Sequence, residues 1–222
     1  MSTIYEATIG EHPVRIEAGK LAGQAGGAVT VRSGDTMVLV TATVSGAPRE
    51  GTDFLPLTVD YEERLYAAGK IPGGFFKREG RPSEQAILLC RLVDRSLRPL
   101  FDRGLRHDVQ IIITALSADQ ENYLDTLSVI GASAALCISD IPFAGPVGAV
   151  RVGRVNGDFV LNPTASEMEE SDLDVRVSGT GQSVVMVEAG AKEVDEDTMV
   201  KAIMLGQESI QGVIDAQRRM AA

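Results

Sequence analysis

From Tyr123 to Ser139 the sequence carries an apolar helical pattern with the small-residue run Gly131-Ala132-Ser133-Ala134-Ala135. Side chains this small let a helix lie close against a sheet, so the segment constrains its surroundings more than any other. Strand-forming stretches flank it on both sides. Upstream, Val14-Arg15-Ile16-Glu17 alternates, and Gly34-Asp35-Thr36 turns the chain between Val29-Thr30-Val31 and the β-branched run Met37 to Val44. Leu55 to Tyr61 reads as a further strand with Pro56 near an end or an edge, and Val109 to Leu116 as a buried one. Downstream, Gly148 to Val155 and Asp158 to Leu161 predict a hairpin around Asn156-Gly157. Asp172 to Val177 and Ser183 to Glu188 predict another pair, linked through Gly179-Thr180-Gly181. Strands and helices are mixed rather than strictly alternating. The expected fold class is therefore α+β, with mixed β-sheets packed against helices, not a doubly wound parallel sheet.

Two more helices are predicted. Over Ser83 to Arg98, Ala86, Leu89, Val93 and Leu97 share one face, while Glu84, Arg91, Arg95 and Arg98 share another. Pro82 suits the first turn and Pro99 ends the helix. The last element is read as one helix from about Asp195 to Met220, with the stripe Met199, Ile203, Ile210, Val213 and Ile214 interrupted only by Gly206 and Gly212. With 222 residues, 44% of them apolar, the chain has ample core for one large domain or two small ones. No apolar run reaches membrane-spanning length, and Met-Ser-Thr-Ile-Tyr-Glu lacks the basic and apolar regions of a secretory leader. Cys90 and Cys137 lie far apart inside apolar helical patterns, as reduced core thiols do. These features predict a cytoplasmic protein without a membrane partner.

The net charge of −10 argues against a simple nucleic-acid-binding module, yet its distribution is uneven. Residues 64–106 carry ten Lys/Arg and four Asp/Glu, which leaves −16 on the rest of the chain. A basic stripe on an acidic body confines polyanion contact to one surface; a charge fluctuation on a solvated face gives the same count. Inside the stripe stands Phe75-Phe76-Lys77-Arg78-Glu79-Gly80-Arg81, after the glycines of Ile71-Pro72-Gly73-Gly74. In a chain only 5% aromatic and without Trp, a Phe pair in a glycine-flanked loop is poor core filling. Bases stack on aromatic faces while cations neutralise phosphates, which is how single strands are gripped without sequence preference. Phe75, Phe76, Lys77, Arg78 and Arg81 are thus candidate contacts to single-stranded RNA. Burial of the same loop at a subunit interface is the alternative, since aromatics and Arg are also enriched there.

Tyr66 through Glu84, with Ala67-Ala68-Gly69-Lys70-Ile71-Pro72-Gly73-Gly74-Phe75-Phe76 at its centre, resembles the signature of bacterial polyribonucleotide nucleotidyltransferases. Arg91-Leu92-Val93-Asp94-Arg95-Ser96-Leu97-Arg98-Pro99-Leu100-Phe101, Ile130 through Leu136, and Gly153 through Thr164 continue it. The resemblance covers essentially the whole chain and is specifically to the first of two RNase PH-like cores, which implies a single core domain over residues 1–222. It implies a 3′-to-5′ exoribonuclease acting in RNA degradation by phosphorolysis, which releases nucleoside diphosphates and runs in reverse to add residues. It further implies a homotrimeric ring whose channel entrance the Phe-Phe loop narrows. A helical linker, a second core and RNA-binding modules are implied downstream, so the chain is expected to be a piece of a longer protein.

The same resemblance implies that Mg²⁺ and inorganic phosphate serve the second core. There a serine-rich turn binds phosphate, and two aspartates six residues apart, with a lysine, handle the metal. Here Tyr123-Leu124-Asp125 replaces the serine turn, and Ser166 stands six residues before Asp172. A carboxylate repels phosphate, and a hard divalent cation wants carboxylate oxygens. The expectation is therefore no catalytic residue, metal or cofactor in this chain. Asp172 and Asp174, which strand geometry puts on one face, and the run Glu167, Glu169 and Glu170 are read as solvated rather than as metal ligands. The mid-helix position of Gly131-Ala132-Ser133 excludes a phosphate loop. His12 and His107 have no Ser, Cys or Asp constellation and are read as surface or loop residues. The rival enzyme reading is a freestanding phosphorolytic core with a variant site around Asp125, Asp172 and Arg95.

Overall fold

A computed structural model describes residues 2–73 and 80–222. Among the described residues, ten strands and five α-helices make two sheets with a helical layer between them. The large sheet holds β1 (Thr3–Ile9), β2 (His12–Ala18), β3 (Gly27–Ser33), β4 (Thr36–Pro48), β5 (Leu57–Glu62) and β6 (His107–Ser117) in the order β1-β2-β3-β4-β6-β5. Its pairs are antiparallel except β5 on β6, so this sheet is mixed. The small sheet, β7 (Gly148–Val155), β8 (Asp158–Leu161), β9 (Leu173–Gly179) and β10 (Val184–Ala191), runs β10-β9-β7-β8 and is wholly antiparallel. The Asn156-Gly157 hairpin forms as expected, with both residues at positive φ.

Helix α1 spans Glu84–Leu97 and α2 spans Leu124–Cys137, the segment whose small side chains call for a sheet. Every residue of α2 from Thr126 to Leu136 is buried. The close approach is real: a Cβ on Gly131 would stand 2.6 Å from Val40 Cγ2, and one on Gly27 of β3 would collide with the Ala135 carbonyl. Ser133 Oγ, buried on the same helix, accepts the Val147 N–H at 2.7 Å and ties α2 to the approach to β7. One contiguous core joins both sheets through α2, from Ile111 and Ile113 of β6 to Val175 and Val177 of β9. Each such side chain contributes about 1.5–3 kcal/mol on full burial.

The short helix α3 (Ala165–Glu170) precedes β9, and the chain ends in α4 (Glu196–Ser209) and α5 (Gln211–Ala221). The single terminal helix expected over 195–220 is therefore two. The break falls at Ile210 (φ −82°, ψ −6°), not at either glycine. Gly148 at the start of β7 lies so close to Ile210 that an added Cβ would be 2.8 Å from it, and the bend seats Ile210 in the core. Gly206 instead lets α4 lie against Val177 and Val150.

Pro82 also stands ahead of the first turn, two residues before Glu84. Ser83 is the N-cap of α1 and accepts the Ala86 N–H at 3.1 Å, which fixes the start of the helix behind the proline. His12 and His107 are half-buried first residues of β2 and β6 rather than loop residues. Among the described residues no helix is long and apolar enough to cross a membrane.

Candidate nucleic-acid interface

Helix α1 starts three residues after Arg81 and turns a polar face outward, which makes it the natural place to look for anion contacts. Phe75, Phe76, Lys77 and Arg78 lie outside the described residues. Arg81 is exposed just ahead of the Ser83 cap. The three arginines that share a face on α1 have separate roles. Arg98 is a structural clamp: it grips both Asp94 oxygens, with a shortest contact of 2.7 Å, and donates to the carbonyls of Leu55 and Leu57 at 2.9 and 3.2 Å. Leu57 opens β5, the outer strand of the large sheet, and Leu55 lies just ahead of it, so Arg98 ties the end of α1 to the start of that strand. Hydrogen bonds from Arg98 to Asp94 raise its pKa, against the opposing effect of burial. Arg95 pairs with Glu188 of β10 at 3.2 Å, both half exposed. Arg91 is exposed and has no ion pair among the described residues.

Between α1 and β5 opens a groove of about 470 Å³ whose walls include Tyr61, Glu62, Pro82, Ile87, Arg91 and Arg95. Burial, with the Glu63 charge adding to it, pushes the Tyr61 phenol up to about 12, so it stays a neutral hydrogen-bonding group. Cys90 lines the same groove, its thiol also raised by burial. Ile87 and Leu88 point outward, 48% and 55% exposed. The walls mix charges, Arg91 and Arg95 with Asp60, Glu62 and Asp94, beside apolar surface, which suits a protein partner as well as the bases and phosphates of a single strand.

Behind this face, where α2 begins, the structure gathers residues that the sequence scatters. Arg151 of β7 is buried, 7% exposed, with its guanidinium 3.6 Å from the centre of the Tyr123 ring. Its Nε and Nη2 donate to the two Asp174 oxygens at 2.7 and 2.6 Å, and its Nη1 lies 3.7 Å from Asp125. Arg176 of β9 donates from Nε to Asp125 at 2.8 Å, from Nη1 to Glu188 at 2.9 Å and from Nη2 to Asp174 at 3.3 Å. The other Asp125 oxygen accepts the Thr126 N–H at 2.7 Å in the first turn of α2. Burial opposes the charge on Arg151, but Asp174 and Asp125 outweigh it and raise the pKa above its usual value.

Of the variant catalytic trio, Asp125 and Arg95 are thus linked through Arg176 and Glu188, while Asp172 stands apart with Arg154 at 3.4 Å. Asp174 is accordingly not a solvated strand-edge acid, since it is held between Arg151 and Arg176. Asp172 lies just ahead of β9 and is 41% exposed beside Arg154. Glu167 has a different task as well: its carboxylate closes the capping box of α3 by accepting from Thr164 N and Oγ1 at 2.8 and 3.0 Å. Ser166 donates to Glu121. The residues present do not fit a divalent cation, because two guanidiniums occupy the oxygens of Asp174 and would repel it. Among the described residues no group of three or more His, Cys, Asp or Glu could hold a metal.

The sequence model of the 3′ exoribonuclease family, domain 1, matches residues 10–142, and that of domain 2 matches residues 145–209. The chain is 56% identical over 219 residues to a polyribonucleotide nucleotidyltransferase of Heliobacterium modesticaldum, covering 99% of this chain and 31% of that protein. It is 56% identical over 217 residues to the one of Thermus thermophilus, covering 98% and 30%. The chain therefore spans about a third of the length of these relatives. Among solved structures, rice (Oryza sativa) Rrp46 superposes with a TM-score of 0.75 at 14% identity, covering 100% of this chain and 95% of that one, a likeness of fold alone.

Proposed function

The chain belongs to the 3′ exoribonuclease family, and on that premise we propose that it serves as the RNA-capturing first core of a polyribonucleotide nucleotidyltransferase. The reaction it serves is phosphorolysis. Phosphate attacks the last phosphodiester of an RNA, the 3′ oxygen of the preceding nucleotide leaves and takes up a proton, and a nucleoside diphosphate departs. In this reading residues 1–222 form one core domain that supplies RNA contacts and a homotrimer scaffold in the cytoplasm. A second core in the longer protein uses Mg²⁺ and phosphate, and RNA-binding modules follow it.

The observation that carries this division of labour is Asp125. Its carboxylate holds the first turn of α2 and one side of Arg176, where a catalytic core would need an open oxyanion site. On that ground the isolated chain is inactive. Capture is assigned to Phe75 and Phe76, stacking on bases, with Lys77, Arg78 and Arg81 on phosphates. The exposed Arg91, without an ion pair among the described residues, and the groove beside it extend that surface. Outward Ile87 and Leu88 favour a second use of the same face, as subunit interface, and protection of the Phe pair by protein contacts in the trimer would support it.

The test is Phe76→Ala in a full-length enzyme containing this core. Stacking is worth about 1–3 kcal/mol per base, so affinity for long RNA should fall roughly 5- to 150-fold. Phosphate exchange on short substrates should persist. Equal loss on both refutes the capture role.

A further inference from the structure

Among the described residues the two sheets have four edge strands, and three of them are protected. Helix α5 lies along β1, where Arg219 donates to the Glu6 carbonyl at 3.4 Å and Gly212 brings the helix close to the Thr8 carbonyl. β5 runs beside α1 and is tied to its end through Arg98 and the Leu57 carbonyl. β8 is only four residues long. β10 has no such protection among the described residues. The Lys192 N–H bonds to the Asp172 carbonyl, and the register pairs Gly190 with Asp174 and Glu188 with Arg176. Alternation therefore turns the N–H and C=O groups of Val187, Ala189 and Ala191 away from β9. Ala189, Gly190 and Ala191 are exposed. Edges of this kind are ordinarily blunted by an outward Lys, a Pro or a bulge. Here the bulge lies earlier, between Val184 and Met186, Glu188 is taken by Arg95 and Arg176, and Lys192 folds back onto the Ser171 carbonyl at 3.0 Å.

We propose that the open edge of β10 is a strand-addition site for an extended, basic peptide segment of a partner protein. Residues 187–191 offer about 17 Å of regular edge, the length of an ordinary strand. That suffices for a peptide, and is far less contact than the roughly 1,200 Å² that two folded copies bury in a stable dimer. Charge decides which peptide. Just past the end of β10, Glu193, Asp195, Glu196 and Asp197 are exposed and have no ion pair among the described residues. They attract Lys or Arg flanking an added strand and repel a nucleic-acid backbone. On one face the added strand meets Val187, Ala189 and Ala191, whose small apolar side chains suit Val or Thr beside them. On the other face Gly190 leaves room, since a Cβ there would meet nothing within 4 Å. The site does not depend on RNA capture, so its failure and that of the capture reading are distinguishable.

The probe is a labelled peptide, acetyl-Lys-Val-Thr-Val-Thr-Val-Lys-amide, titrated into the 222-residue chain with fluorescence anisotropy and amide hydrogen exchange as readouts. Binding should saturate, and exchange of the Val187, Ala189 and Ala191 amides should slow at least about tenfold, because these are the donors the peptide takes up. Ala189→Pro removes one outward N–H without touching the bonds to β9 and should weaken binding at least about tenfold. Glu193→Gln combined with Glu196→Gln leaves the edge intact and should weaken it at least about threefold. Should Ala189→Pro not fold, the exchange pattern of the parent and the charge variant decide. The peptide with Pro in place of its central Val should not bind. The absence of saturable binding, or slowed exchange confined to other amides, overturns the proposal. So does self-association of the chain that protects the same three amides without peptide, or their protection by a single-stranded oligonucleotide.

Discussion

Replacing Arg151 by Ala tests whether the buried ion network holds the small sheet against α2. The guanidinium is 7% exposed, makes two hydrogen bonds to Asp174 at 2.7 and 2.6 Å, and stacks on Tyr123. Breaking a buried pair from one side costs about 3–5 kcal/mol, chiefly because the remaining charge is stranded. Asp174 would be only partly stranded. It is 28% exposed and keeps Arg176 at 3.3 Å, which points to the lower end, about 3 kcal/mol. Loss of the aromatic contact adds about 0.5–1 kcal/mol. Urea denaturation of the parent and variant should therefore differ by about 3–4 kcal/mol. At about 2–4 °C per kcal/mol for a chain of this size, the unfolding temperature should fall by roughly 6–16 °C. Arg95→Ala, in the same network but half exposed, should cost no more than about 1 kcal/mol. A loss below about 1 kcal/mol for Arg151→Ala, or equal losses for both variants, would refute the reasoning.

Gly27→Ala should destabilise the chain by at least about 1–3 kcal/mol in the same assay, because the new methyl meets the Ala135 carbonyl of α2 rather than a yielding side chain; an effect within experimental error would contradict the close helix–sheet contact. Asp119 gives a pH dependence. Partial burial works against its charge, but hydrogen bonds from Asn122, Glu121 and Thr36 hold its pKa down to about 2. Its folded-state value lies below the unfolded one, so its contribution is complete above about pH 4 and is lost as the pH falls toward 2. Unfolding measured between pH 5 and pH 2 should show a shallower acid loss in Asp119→Asn than in the parent; parallel curves would dismiss the assignment.

Much of the fold can be read from local pattern. The small-residue run in α2 demanded a sheet, and Asn156-Gly157 specified a hairpin, because in both cases the deciding chemistry lies within a few neighbouring residues. The kink at Ile210 could not be read, since the apolar stripe continues through it. What sets the bend is the bare backbone of Gly148, more than sixty residues upstream. The candidate site divides in the same way. Asp125 stood out as a foreign charge at the start of α2, but its partners did not, because Arg176 is 51 residues away and the pair is made only when β9 reaches α2. The three arginines of α1 look equivalent in sequence. Tertiary partners turn Arg98 into a clamp on the outer strand and Arg95 into a link of the ion network, while Arg91 is exposed and has no ion pair among the described residues.

The proposed function assigns RNA capture, and not cleavage, to this core. Incubating the chain with single-stranded RNA, inorganic phosphate and Mg²⁺, and separating the nucleotides released, tests it most directly. The account predicts no nucleoside diphosphates while the RNA remains bound and full length. Steady release of nucleoside diphosphates from the 3′ end, lost in a variant of Asp174 or Arg176, would contradict it.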